Sequence, residues 1–244
     1  MKRIKGSVAG ACALAATLAA GDASAAVVGN VGAWSEYMFR GVEAEGGVAV
    51  QGGIDWYAAN GFFLGGWASN AAVVGGTEVD VYGGYAWKVN EHLTFDFGAW
   101  YYWLPEDEKE ANIDIDGDGD SDDLDFLEVF AYANYRWLKL QAYYADEYAN
   151  VLDEGLYVNA ILTIPLKDTL SVALQVGHTS GDGAEDFFGE SYTDYSITLN
   201  KTIPNGITFG LALMDTDLDD NGVTFVEAQD EPKVVISAKM VFDI

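Results

Sequence analysis

Val234-Val235-Ile236-Ser237-Ala238-Lys239-Met240-Val241-Phe242-Asp243-Ile244 has an apolar residue at every even number, with Ser237, Lys239 and Asp243 among the residues between. Side chains alternate between the two faces of a strand, so this stretch reads as a β-strand with one wholly apolar face. It is about as long as a tilted strand needs to be to cross a bilayer. A single strand cannot exist there. Lipid offers no partner to backbone N–H and C=O groups, and among strand structures only a closed barrel satisfies them all.

The same alternation recurs upstream and predicts an all-β chain of twelve strands. The candidates are Val31 to Arg40, Val48 to Ala58, Phe62 to Ser69, Glu78 to Val89, Leu93 to Trp103, Leu127 to Trp137, Leu138 to Ala145, Leu156 to Ile164, Leu170 to Gly177, Tyr195 to Thr202, Ile207 to Met214 and the final stretch. Connections after even-numbered strands are short: Ala59 to Gly61, Asn90 to His92, the join near Trp137, Pro165 to Thr169, and Ile203 to Gly206. The others are long. That alternation is the signature of an antiparallel transmembrane β-barrel, with turns in the periplasm and loops outside. Tyr85, Trp87, Tyr101, Trp103, Tyr135 and Trp137 near strand ends fit an interfacial girdle. A secreted β-sandwich would also alternate, but it turns its apolar face inward and has no reason to separate short from long connections.

Lys2, Arg3 and Lys5, an apolar run from Val8 to Ala20, and Ala23-Ser24-Ala25 together read as a secretory signal peptide over residues 1–25, leaving 26–244 as one barrel domain. The single cysteine, Cys12, lies in that leader, so a thiol site or disulfide framework in the barrel is excluded. A net charge of −27 excludes a nucleic-acid binder. The acids concentrate in the long loops, most densely in Glu106 to Asp123.

The stretches Ser35-Glu36-Tyr37-Met38-Phe39-Arg40-Gly41-Val42, Val50-Gln51-Gly52-Gly53-Ile54-Asp55-Trp56 and Gly65-Gly66-Trp67-Ala68-Ser69-Asn70 resemble the TorF family of bacterial outer-membrane porins. Glu78 to Tyr85, Tyr101 to Pro105, Leu127-Glu128 and Gly210 to Asp217 continue the likeness in the family's order, over essentially the whole mature chain. Glu36 stands where the family has Asp, and the long Glu106 to Asp123 loop departs from it. The resemblance implies a channel of the bacterial outer membrane without naming its solute.

Asp114, Asp116, Asp118, Asp120, Asp122 and Asp125 surround Gly117 and Gly119 in a spacing that resembles a calcium loop: oxygens fall at positions 1, 3, 5, 9 and 12 with Gly at position 6. A solvated acidic loop is the alternative, since Asp125 replaces the usual bidentate Glu. No organic cofactor is expected. Inward faces assign Glu36, Arg40, Gln51, Asp55, Glu78, Asp80, Asp96, Glu128 and Arg136 to the pore lining, with Trp34, Met38, Tyr57, Trp100, Tyr102 and Phe130 narrowing it. An acidic lumen with an acidic mouth favours small cationic solutes. The expected partners are outer-membrane lipids, lipopolysaccharide and the barrel assembly machinery. A non-conducting surface barrel whose loops bind divalent cations is the alternative. An enzyme would need a converging nucleophile and base, and His92, His178 and Ser180 do not suggest one by spacing.

Overall fold

A computed structural model describes residues 25–44, 47–73, 76–105, 123–150, 152–218 and 231–244. The signal-peptide stretch up to residue 24 and the calcium-loop residues Asp114 to Asp122 lie outside these.

The wall consists of β1 (Ala26–Trp34), β4 (Ala49–Tyr57), β5 (Phe62–Ser69), β6 (Glu78–Lys88), β7 (Leu93–Trp103), β8 (Phe126–Tyr135), β9 (Leu138–Ala145), β10 (Gly155–Lys167), β11 (Leu170–Ser180), β12 (Tyr192–Thr202), β13 (Thr208–Thr216) and β14 (Lys233–Asp243). Each pairs antiparallel with its neighbours, and β1 closes the circle on β14, with Val28 opposite Asp243 and Trp34 opposite Ser237. The result is the twelve-stranded antiparallel barrel expected from the alternation.

Even-numbered residues of β14 face out, leaving Val234, Ile236 and Phe242 exposed, while Val235 is buried inside. The girdle aromatics Tyr85, Trp87, Tyr101, Trp103, Tyr135 and Trp137 are likewise exposed on the outer surface. Lipid is the solvent that makes such a surface favourable, at roughly 25 cal/mol per Å² of apolar area kept from water.

The short connections use local chemistry. Gly61 takes φ +98° after Asn60, and the Asn90 side chain accepts from the His92 and Leu93 backbone N–H groups at 2.8 and 3.1 Å. Arg136 takes φ +53° in the two-residue turn between β8 and β9. It is exposed there beside the Tyr135 ring, which corrects its assignment to an inward strand position.

Three further differences have physical causes. The first strand ends at Trp34 instead of Arg40, because the chain bends inward and makes a separate hairpin of β2 (Met38–Phe39) and β3 (Val42–Glu43). Arg40 and Gly41, both at positive φ, form its two-residue turn. Strand β10 runs past Pro165 to Lys167, since a register shift there accommodates a residue that has no N–H to donate. The acidic connection after β11 holds a short helix, α1 (Asp182–Phe188), with Asp182 and Glu185 in its first turn and Gly189 at its left-handed C-terminus.

Candidate functional site

The hairpin β2–β3 enters the barrel at the long-loop end and carries Arg40 at its tip. Its base is anchored where Ser35 N–H donates to Ile236 O (2.8 Å) and Ala44 N–H to Tyr37 O (2.7 Å). Lys233 of β14 pairs with Glu43 at 2.6 Å. Gly41 has φ +85°, and a Cβ on it would sit 2.5 Å from Asp194 Cβ and 2.7 Å from Thr216 Cγ2. The turn therefore lies against the inner faces of β12 and β13, where only glycine fits.

Arg40 Nη2 donates to both oxygens of Glu128, at 2.5 and 2.7 Å. Glu128 has no exposed surface and also accepts from the Tyr102 hydroxyl at 2.9 Å. Four rings surround the guanidinium: Phe39 and Tyr157 with centroids at 4.7 Å, Tyr143 at 5.5 Å and Tyr148 at 6.0 Å. Burial is the largest influence on Arg40 and would lower its pKa, but Glu128, by charge and hydrogen bond, together with Tyr148 and Tyr102 outweighs it and raises it, so the group remains cationic. Burial likewise pushes the Tyr148 hydroxyl up, against the pull of Arg40.

Aromatic packing continues around the wall. Tyr82 stacks on Trp100 at 4.0 Å, Tyr102 on Phe126 at 4.5 Å and Phe130 on Tyr132 at 4.5 Å. Loop residues complete the layer: Tyr148 contacts Phe187 and Phe188 of α1, and Phe188 contacts Tyr192. Together with Tyr37, Phe39 and Val42 these form one buried cluster that fills the long-loop half of the barrel.

Gln51, Asp55, Glu78, Asp80, Asp96 and Glu128 are all buried on the inward side. Asp55 accepts from Tyr82 at 2.6 Å, Glu78 from Tyr37 at 3.2 Å and Asp96 from Asn134 at 2.8 Å. Asp80 lies beside Glu78 and Glu128, with the Trp100 indole its one favourable polar neighbour among the described residues. Glu36 is half-buried at the bend after β1, and with Arg40 it belongs to the inward loop rather than to a wall strand. Trp100, Tyr102 and Phe130 are buried inside as expected, whereas Met38 sits on the hairpin. Asp125 accepts from the Tyr101 hydroxyl and from Leu104 N–H, both at 2.7 Å, tying β7 to β8. His178 faces outward beside Thr193, and His92 lies in a turn at the other end of the barrel.

A continuous strand from Val31 to Arg40 with Glu36 and Arg40 inward would turn Tyr37 and Phe39 outward, whereas the hairpin buries both inside. The available signal was Arg40-Gly41, since a glycine as the second of two residues between short apolar pairs marks a tight hairpin. Asp194 lies just before the strand expected from Tyr195, yet β12 begins at Tyr192 and turns it inward, where it accepts from Gln175 at 3.1 Å.

A family model described as "Bacterial protein of unknown function (Gcw_chp)" matches residues 18–244. No curated protein matches the sequence. Solved structures similar to the fold are outer-membrane barrels. The NanC porin aligns with TM-score 0.55 at 13% identity, over 90% of this chain and 100% of its own. The KdgM porin in complex with disordered oligogalacturonate aligns with 0.53 at 8%, over 89% and 99%. The COG4313 outer membrane channel from Pseudomonas putida F1 aligns with 0.51 at 10%, over 93% and 98%. The TorF resemblance is thus met at the level of an outer-membrane, porin-type barrel.

Proposed function

The chain belongs to the Gcw_chp family of bacterial proteins of unknown function, and from the charge of its inner wall we propose a porin-like outer-membrane channel for passive diffusion of small cationic solutes. The observation that carries the reading is the inward set Asp55, Glu78, Asp80, Asp96, Glu128 and Asp194, which among the described residues outnumbers the inward cations Arg40, Lys88, Lys139, Lys233 and Lys239, of which Lys233 is paired with Glu43. Carboxylates in a narrow, low-dielectric conduit focus a negative potential and raise the local cation concentration. Oligogalacturonate, the ligand in the KdgM complex, is a polyanion that such a wall would repel, so the shared fold does not carry that solute over.

The wall is also asymmetric. Aromatic rings crowd the inner faces of β6 to β10, whereas β11 to β14 and β1 turn Ala173, Gly177, Thr198, Gly210, Ala212, Ser237 and Gly32 inward. Neighbouring side chains lean over these small residues, Tyr157 and Asp194 over Gly177 and Trp34 over Gly32. Planar-bilayer recordings of the refolded mature chain under a KCl gradient test the reading. Stable steps with a cation-selective reversal potential are expected, and anion-selective steps would overturn it.

The filled long-loop half favours a second reading, a closed barrel that displays acidic loops at the cell surface and binds divalent cations there. Folded protein that carries no current with the hairpin in place or cut would select it.

A further inference from the structure

The group that the hairpin inserts into the lumen is itself a cation, seated on a carboxylate and aromatic faces. Tyr143 and Tyr157 come from the walls β9 and β10, Glu128 and Tyr102 from β8 and β7, and Tyr148 from the following loop; only Phe39 and Arg40 come from the hairpin. Withdrawing the hairpin removes Arg40 and leaves the Glu128 carboxylate, with the Tyr102 hydroxyl as its remaining donor, beside the wall tyrosines that had flanked the guanidinium. Asp80 lies close to both Glu78 and Glu128, so acids predominate around the seat. An unpaired buried carboxylate is strongly unfavourable. The vacated seat then offers a carboxylate between aromatic faces, an arrangement that attracts a cation.

The seat's chemistry selects the cation. A guanidinium is planar and weakly hydrated, stacks on aromatic faces and pairs with a carboxylate, whereas alkali and ammonium ions hold their water more tightly. Arg40 fills the seat imperfectly, because its Nη1 is buried with no hydrogen-bond partner among the described residues. Beside it lies a cavity of about 40 Å³ lined in part by Gln141, Tyr143, Tyr157, Asn159 and Gln175, polar groups into which a solute could extend.

We infer that the Glu128–Tyr143–Tyr157 seat is a binding site for guanidinium-bearing solutes, occupied in the closed barrel by Arg40 as an internal stand-in, so that solute binding and hairpin release are linked. This rests on the cation-channel reading and adds its solute class. A tethered group competes at an effective concentration in the millimolar range or above. Free solute should bind weakly to the native chain and much better once Arg40 is removed.

Ethylguanidinium chloride is the probe, titrated calorimetrically against the full mature barrel in detergent at constant ionic strength, with KCl as the reference. The expected result is saturable binding to Arg40→Ala at a concentration about tenfold or more below that for the native chain. Binding should vanish in Arg40→Ala/Glu128→Gln. Equal heats for the single and double variants, or no heat beyond KCl, overturn the proposal. If Arg40→Ala does not fold, as judged by heat-modifiable mobility on gels, Arg40→Gln, which keeps a polar side chain without the charge, gives the same comparison. Bilayer recordings keep the two readings apart. A barrel that conducts cations but neither binds nor is blocked by ethylguanidinium loses the seat and keeps the channel; one that binds the probe without conducting keeps the seat and loses the channel.

Discussion

Replacing Arg40 by Met would strand the Glu128 carboxylate, which has no exposed surface and would retain the Tyr102 hydroxyl as a donor. With charge centres about 4 Å apart and an effective dielectric of about 20, the lost attraction is about 4 kcal/mol. That lies within the roughly 3–5 kcal/mol found when one partner of a buried pair is removed. The barrel ladder does not depend on the hairpin, so the loss should appear as local undocking with the wall intact. At 1.4 kcal/mol per tenfold, amides such as Ala44, which donates to Tyr37 O, should exchange with deuterium about 10² to 10³ times faster. Wall amides such as Val129 should be unchanged. Arg40→Met/Glu128→Leu should return Ala44 to within about tenfold of the native rate, because an apolar pair replaces a buried ion pair at little net cost. Exchange of Ala44 in Arg40→Met within about threefold of native, or purely additive effects in the double variant, would refute the latch.

Gly41→Ala should undock the same hairpin by about 2–4 kcal/mol, combining positive φ with contact against Asp194 and Thr216, whereas Gly206→Ala, at φ +94° in open space, should cost only about 1 kcal/mol; proteolysis and urea titration compare them. Ile197→Arg, outward in mid-strand, should destabilise the barrel in vesicles by about 2–4 kcal/mol, and inward Thr198→Arg by less. Asp55→Asn/Asp96→Asn should shift the reversal potential toward zero if these buried carboxylates set cation preference. Calcium titrated into the native chain should give heat that is lost on Asp114→Asn/Asp118→Asn; silence at millimolar calcium removes the acidic-loop site.

Strand number, closure and facing were legible because lipid enforces a period of two on every crossing. An outward position must be apolar, as Val234, Ile236 and Phe242 are, and a register slip would expose Lys239 to hydrocarbon. Turns such as Asn60-Gly61 and Asn90 to His92 were legible because their backbone demands are local. The inward carboxylates followed from the same alternation.

Inside the barrel that constraint disappears. An apolar residue in a loop can pack into the lumen as well as outside it, so Tyr37 and Phe39 fitted a strand pattern equally well until the hairpin turned them in. The amino-acid sequence alone determined a membrane barrel with an acidic interior, because burial in lipid is a condition each strand meets residue by residue. Only the tertiary structure decided that Arg40 pairs with Glu128 inside the barrel, since the two are 88 residues apart and meet across a curved wall. Their pairing depends on where the whole circle of strands places each inward face.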